Sequence, residues 1–231
     1  MADGVDREPT ETDQIVGELA HEIRNPLNAI GIHLKLLSED ALRLPAEQAK
    51  PILERIEIIQ RQALQLKELL DDFLRYIARP VPRLEPADAQ TVVREIVDFI
   101  RPAAADKGVN VEVRWSMTEG PVVLMDKGLF KQAVLNIIMN ALRAMPNGGR
   151  LTLAGIVQNG VFSLSISDTG TGMTPERVAR LFQPRQGGGE CSGSGLGLAI
   201  TNRIVREHSG KLEVASQVGR GTCFTISLPV G

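Results

Sequence analysis

From Val16 onward, apolar residues fall at Val16, Ala20, Ile23, Leu27, Ile30, Leu34, Leu37 and Ala41, alternately four and three apart. A second series, Ile52, Ile56, Ile59, Ala63, Leu66, Leu70, Phe73 and Ile77, keeps the same alternation. That spacing draws a narrow apolar seam down each of two long helices and predicts a coiled-coil-like hairpin turning near Arg43-Leu44-Pro45. Two helices make a thin core, so the pattern favours a homodimer in which two hairpins build a four-helix bundle. Residues 1–12 are polar and carry no such pattern.

Pro80, Pro82 and Pro86 then interrupt the chain. Proline cannot continue a helix and stiffens the backbone around it, so a linker is expected at 80–88. It separates a hairpin domain at 1–79 from a second domain at 89–231. In the second domain the periods mix. Helices are predicted at 89–106, 127–145 and 196–208, and strands at 109–115, 121–125, 150–157, 161–168, 211–216 and 222–228. Asn159-Gly160 supplies the turn between the two central strands, and a glycine-rich loop fills 169–195. The fold class expected is α+β, a helical hairpin followed by an α/β sandwich of mixed strand order.

Composition narrows the function classes. Hydrophobic residues make up 43% and charged residues 23% of 231 positions, ordinary for a soluble globular chain. A formal net charge of -2 gives no reason to expect nucleic acid or an anionic membrane as partner. Cys191 and Cys223 form neither a metal pattern nor a disulfide framework, which fits a reducing cytoplasm. No apolar run approaches the roughly 20 residues of a membrane helix, and the acidic, polar start is not a signal peptide.

Four segments carry candidate chemistry. In His21-Glu22-Ile23-Arg24-Asn25-Pro26, with Ile23 on the seam, His21 falls on the solvent side. A neutral imidazole there can act as a nucleophile. Glu22 could accept the proton of the other ring nitrogen. Asn25 lies one turn on and shares the face. Pro26 lacks an N–H and clashes with the carbonyl of Glu22, so the helix is expected to kink or loosen beside the histidine. Asn136 and Asn140 sit four apart on a predicted helix, with Ile137, Ile138 and Met139 expected in the core. Amide oxygens are hard ligands that suit Mg²⁺, and Arg143 lies within a turn. Asp168 ends a strand, where its carboxylate can accept from an adenine amino group. Gly170 and Gly172 let the backbone turn and a base come close. Gly193, Gly195, Leu196 and Gly197 open a helix whose free N–H groups can bind phosphate. No Gly-x-x-x-x-Gly-Lys-[Ser/Thr] loop occurs. Singly, each segment also reads as ordinary structure: a solvated helix face, a turn, a connector.

Together and in this order, they resemble the histidine kinases of two-component signalling, over about residues 13–230. His21–Pro26 matches the phospho-acceptor box, Asn136 and Asn140 the N box, and Asp168, Gly170 and Gly172 the first glycine box. Leu181-Phe182 matches the F box, and Gly193, Gly195 and Gly197 the second glycine box. The resemblance implies that His21 is phosphorylated with help from Glu22, and that Asn25 orients water in a reverse, phosphatase reaction. It implies ATP and Mg²⁺ as cofactors, with Asn140 as metal ligand, Asn136 beside it, Asp168 reading adenine and residues 173–193 forming a lid. The sandwich implied is the one shared with Hsp90, type II topoisomerases and MutL proteins. Arg185 is the expected phosphate cation, because the stretch Gln183–Glu190 departs from the family's aromatic and Ser, Thr or Lys pattern. The implied partners are a second copy of the chain and the receiver domain of a response regulator, reached by a swing about the Pro-rich linker. A non-catalytic phosphotransfer or docking protein would keep the hairpin and lose the ATP boxes, which are present here. His33, twelve residues from His21, lies about 120° around the helix and is no rival acceptor. His208 is expected to cap or pack at a helix end before Gly210.

Overall fold

The computed structural model describes residues 11–77, 81–117, 120–181 and 196–230. They fall into a helical hairpin and a sheet-bearing unit. In the hairpin, α1 (Glu11–Ala41) and α2 (Ala46–Ile77) are joined by residues 42–45. Arg43 N–H donates to Asp40 O and Leu44 N–H to Ala41 O, both at 3.1 Å, which closes the turn. α1 is α-helical through Pro26. The apolar seam splits in two. Leu27, Leu34 and Ala41 of α1, with Ala49 and Ile56 of α2, are buried. The alternate positions Ile23, Ile30, Leu37, Ile52, Ile59 and Leu66 remain 40% to 53% exposed. Within a single hairpin each helix has one neighbour, so only one of the two heptad positions finds cover.

The other unit begins with β1 (Glu85–Asp88), α3 (Ala89–Asp106), β2 (Val109–Trp115), β3 (Val122–Met125) and α4 (Lys127–Ala144). It continues with β4 (Gly149–Gln158), β5 (Val161–Asp168), α5 (Pro175–Ala179), α6 (Leu196–Glu207), β6 (Lys211–Gln217) and β7 (Gly221–Pro229). Five strands form one sheet in the order β2-β4-β5-β7-β6. β2 and β4 are parallel and the other neighbours antiparallel. The β4–β5 hairpin turns at Asn159 and Gly160, with φ of 52° and 73°, the paired positive angles that Asn-Gly tolerates.

Period-two alternation gives the sheet two unlike faces. Phe162, Leu164 and Ile166 of β5 and Phe224, Ile226 and Leu228 of β7 are buried in one cluster with Val93 and Ile96 of α3, Phe130, Ile137 and Ile138 of α4, and Val205 of α6. The intervening Ser163, Ser165, Ser167, Thr225 and Ser227 lie half-buried on the other face. Helices therefore cover one side of the sheet.

Two elements depart from the sequence reading. Residues 85–88, taken as linker from the prolines, form β1 against β3, with Pro86 opposite Leu124. This two-stranded ribbon offers an edge position, where a missing N–H is tolerated. Within the glycine-rich loop, α5 forms because Thr174 caps Arg177 N–H and Pro175 sits in the first turn, a local start signal. Met139, expected in the core, is 40% exposed.

Candidate functional site

Asp168 ends β5 and is 8% exposed. Its Oδ1 accepts from Gly170 N–H at 2.8 Å and from Thr222 N–H at 3.2 Å. Neither bond uses Oδ2. Burial pushes the carboxyl above its ordinary range, and the two N–H donors oppose that rise without cancelling it. The side chain is thus a fixed acceptor at the sheet end. Thr222 reaches it because Gly221, with φ of 94°, packs on the Asp168 carbonyl, where a Cβ would overlap the oxygen.

The glycines after Asp168 meet protein atoms. A Cβ on Gly170 would lie 2.6 Å from Ala144 O at the end of α4. Thr171 N–H donates to that same oxygen at 3.1 Å. Gly172 has φ of 65°, and a Cβ there would overlap the Gln217 carbonyl. Gly219 N–H donates to Thr171 O at 2.8 Å, and Met173 N–H to Ser216 Oγ at 2.9 Å. These glycines let the loop lie flat between α4 and the β6–β7 turn, which fixes the frame that holds Asp168. Of the two tasks the sequence reading gives them, turning the backbone and admitting a base, the structure shows the first, as close backbone packing.

Asn136 and Asn140 are partly buried on α4. Asn136 Nδ2 donates to Gly197 O at 3.2 Å, with Thr201 Oγ1 at 3.5 Å. A carbonyl only accepts, so the amide nitrogen must face α6, and the Asn136 carbonyl oxygen is turned from that partner. Thr201, fully buried, donates its hydroxyl to Gly197 O at 2.9 Å and lies 3.4 Å from Ala133 O. The first turn of α6 is thereby pinned to α4. Sequence reasoning missed Thr201. A hydroxyl four residues after Gly197 can bond back along its own helix, but nothing local places it opposite Asn136.

Gly197 differs from Gly170, Gly172 and Gly221. A Cβ there meets nothing nearer than 3.8 Å, the Asn136 amide. Among the described residues no atom requires glycine here, which leaves room for a ligand at the helix start. Gly197→Ala is therefore expected to leave the melting temperature unchanged or raised, since alanine is favoured over glycine in a helix by up to about 1 kcal/mol. It is expected to weaken nucleotide binding about tenfold by occluding the free N–H groups. Paired thermal melts and fluorescent-nucleotide titrations check this, and unchanged affinity would remove Gly197 from the site.

The remaining candidates are placed less fully. His21 and Glu22 lie in α1, with side chains outside the described residues. Asn25 is exposed on α1, and Arg143 is exposed in the last turn of α4. Leu196 opens α6, its side chain undescribed. Arg185, Gly193, Gly195 and the stretch 182–193 of the expected lid lie outside the described residues, whereas Met173 packs on the core. Among the described residues, no group of three or more His, Cys, Asp and Glu could hold a metal, and no helix is long and apolar enough to cross a membrane.

A buried carboxylate at a strand end, amides on a neighbouring helix and a helix start pinned to that helix are the parts of an ATP-binding domain, here preceded by a long helical hairpin. The family model described as His Kinase A (phospho-acceptor) domain matches residues 12–77. The model described as histidine kinase-, DNA gyrase B-, and HSP90-like ATPase matches residues 125–231. The chain belongs to the histidine kinases. It is 31% identical over 230 residues to Histidine protein kinase DivJ of Caulobacter vibrioides, covering 94% of this chain and 37% of the relative. The crystal structure of full-length ShkA in complex with AMPPNP matches at a TM-score of 0.72 and 28% identity, over 95% of this chain and 46% of that one. The histidine kinase ThkA in complex with the response regulator protein TrrA shares the fold at a TM-score of 0.68 and 21% identity, over 94% of this chain and 61% of that one. The chain thus spans less than half the length of the first two.

Proposed function

We propose that this chain moves the γ-phosphoryl group of ATP onto its own His21 and then onto an aspartate of a response regulator. The observation that carries the reading is the Asp168 acceptor, held by two backbone N–H groups with Oδ2 left for an adenine amino group. The pinned start of α6 lies in the same unit and offers N–H groups for the phosphates.

In the first step an imidazole nitrogen of His21 attacks the γ-phosphorus. The N–P bond forms, the P–O bond to ADP breaks, and the ring proton passes to Glu22 or water. In the second step an aspartate oxygen of the receiver takes the phosphoryl group and the imidazole is restored. Asn25, exposed on α1, would orient water when the receiver's phosphoryl group is hydrolysed. The donor set fits Mg²⁺: amide oxygens of Asn140 and Asn136 are hard ligands, and the absence of an acidic cluster among the described residues leaves most positions to phosphate and water. When bound, the ion neutralises phosphate charge.

The partners accord with the same reading. The uncovered half-seam of the hairpin fits a second copy of the chain. The complex of ThkA with TrrA supports a receiver domain as acceptor. Use of ATP fits a cytoplasmic location. The docking-protein alternative is not favoured, since the ATP boxes are intact.

Incubation with γ-labelled ATP and Mg²⁺, beside His21→Ala and a chelator control, tests this. Acid-labile, alkali-stable label is expected on the wild type alone, lost in the variant and in chelator, and chased onto an added receiver domain. Label that persists in His21→Ala would refute the assignment.

A further inference from the structure

His208 lies in the turn that ends α6 and is 2% exposed. Its Nε2 accepts the backbone N–H of Asp126 at 2.9 Å, and its Nδ1 lies 2.7 Å from Ile204 O. One partner only donates and the other only accepts. The ring is therefore neutral, with its proton on Nδ1. A role in capping its own helix would need the Ile204 contact alone. The second contact crosses to the residue that starts α4.

Asp126 is itself a junction. Its Oδ1 caps α4 by accepting Leu129 N–H at 3.0 Å, and its Oδ2 accepts Arg83 N–H at 3.1 Å. Burial works against the Asp126 charge, but the N–H groups of Leu129, Arg83 and Gly128 hold its carboxyl below the ordinary range. Arg83 belongs to the segment leading in from the hairpin. One residue thus joins three things: that segment, the helix carrying Asn136 and Asn140, and, through His208, the helix that starts at the phosphate end.

We infer that His208 is a positioning residue that couples nucleotide occupancy to the incoming linker through Asp126. α6 is a rigid rod about 18 Å long at 1.5 Å per residue. A phosphate drawn onto its first turn moves its far end, and the ring transmits that displacement to Asp126 and so to the Arg83 amide. Nucleotide at the start of α6 thereby tightens the hold that Asp126 already has on the linker. This rests on the kinase reading for its consequence, phosphoryl transfer, but not for the coupling itself.

The test uses the full chain with ADP as probe. Hydrogen exchange at the Arg83 amide is expected to slow on ADP addition in the wild type. His208→Phe, which has no acceptor, is expected to abolish that response. Its nucleotide affinity is expected to stay within about twofold, and its autophosphorylation kcat to fall about tenfold, in line with losing one buried hydrogen bond. His208→Gln, whose side-chain oxygen can take the Asp126 N–H, is expected to restore most of both. Should His208→Phe fail to fold, Asp126→Asn serves. An Asn still caps α4, but its amide faces Arg83 with a donor, so the linker contact alone is cut and the same pattern is expected. An Arg83 amide indifferent to ADP in the wild type would overturn the inference, as would an unaltered ADP response in the folded variants. A fall in affinity matching the fall in kcat would reduce His208 to a structural role. Unlabelled wild type with an intact ADP response would instead count against the kinase reading.

Discussion

Asp168→Asn is expected to weaken ATP binding about a hundredfold while leaving the melting temperature unchanged or higher at neutral pH. The amide can keep its oxygen on Gly170 N–H and Thr222 N–H, so the loop frame survives. Its nitrogen then takes the place of Oδ2 and meets the adenine amino group donor to donor. A hydrogen bond to a charged group is worth about 1.5–3 kcal/mol, and stranding two donors adds to that loss, which gives the hundredfold. Stability moves the other way. The folded carboxyl has a raised pKa, so the native state binds the proton more readily than the unfolded chain, whose value lies near 3.8. Stability therefore falls as pH rises from the unfolded to the folded pKa, and the full penalty is present above it. Asparagine has no such penalty. ATP affinity of the wild type should also drop as pH falls through the raised pKa. Calorimetric titration and thermal melts on both proteins decide the matter, and unimpaired binding by Asp168→Asn would take the residue out of the adenine site.

The wild type is expected to sediment as a dimer and the double variant Ile30→Glu/Ile59→Glu as a monomer. Both side chains belong to the half-seam left open, at 42% and 46% exposure. Leu27, Leu34 and Ile56, which hold the hairpin together, are untouched, so helicity by circular dichroism should persist. Fully burying an isoleucine contributes about 1.5–3 kcal/mol. Two such side chains on each of two copies, already partly covered, then set a loss of about a thousandfold or more in dimer affinity. An unaltered sedimentation profile would sink the bundle proposal.

The seam itself was legible because a four-three repeat is a local property: each spacing is read within one turn of helix. The turn at Asp168 and the place of Asn136 and Asn140 on one helix were legible for the same reason, each a short string with its own local pattern. Even the wrong place given to Met139 has this origin. A residue between apolar neighbours reads as core, and only the direction in which α4 meets the sheet leaves it outside.

Chain order could not supply juxtaposition. The sequence alone determined two long amphipathic helices, a mixed sheet and a set of boxes, because periodicity and turn chemistry act over a few residues. Only the tertiary structure decided which half of the seam is covered and that Gly170 and Gly172 pack against backbone while Gly197 meets the Asn136 amide at ordinary contact distance. Only it brought Thr201 to Asn136, and His208 to Asp126 across 82 positions. Those contacts arise because burying apolar faces fixes the helices on the sheet, and polar groups carried along must then find partners wherever that packing leaves them.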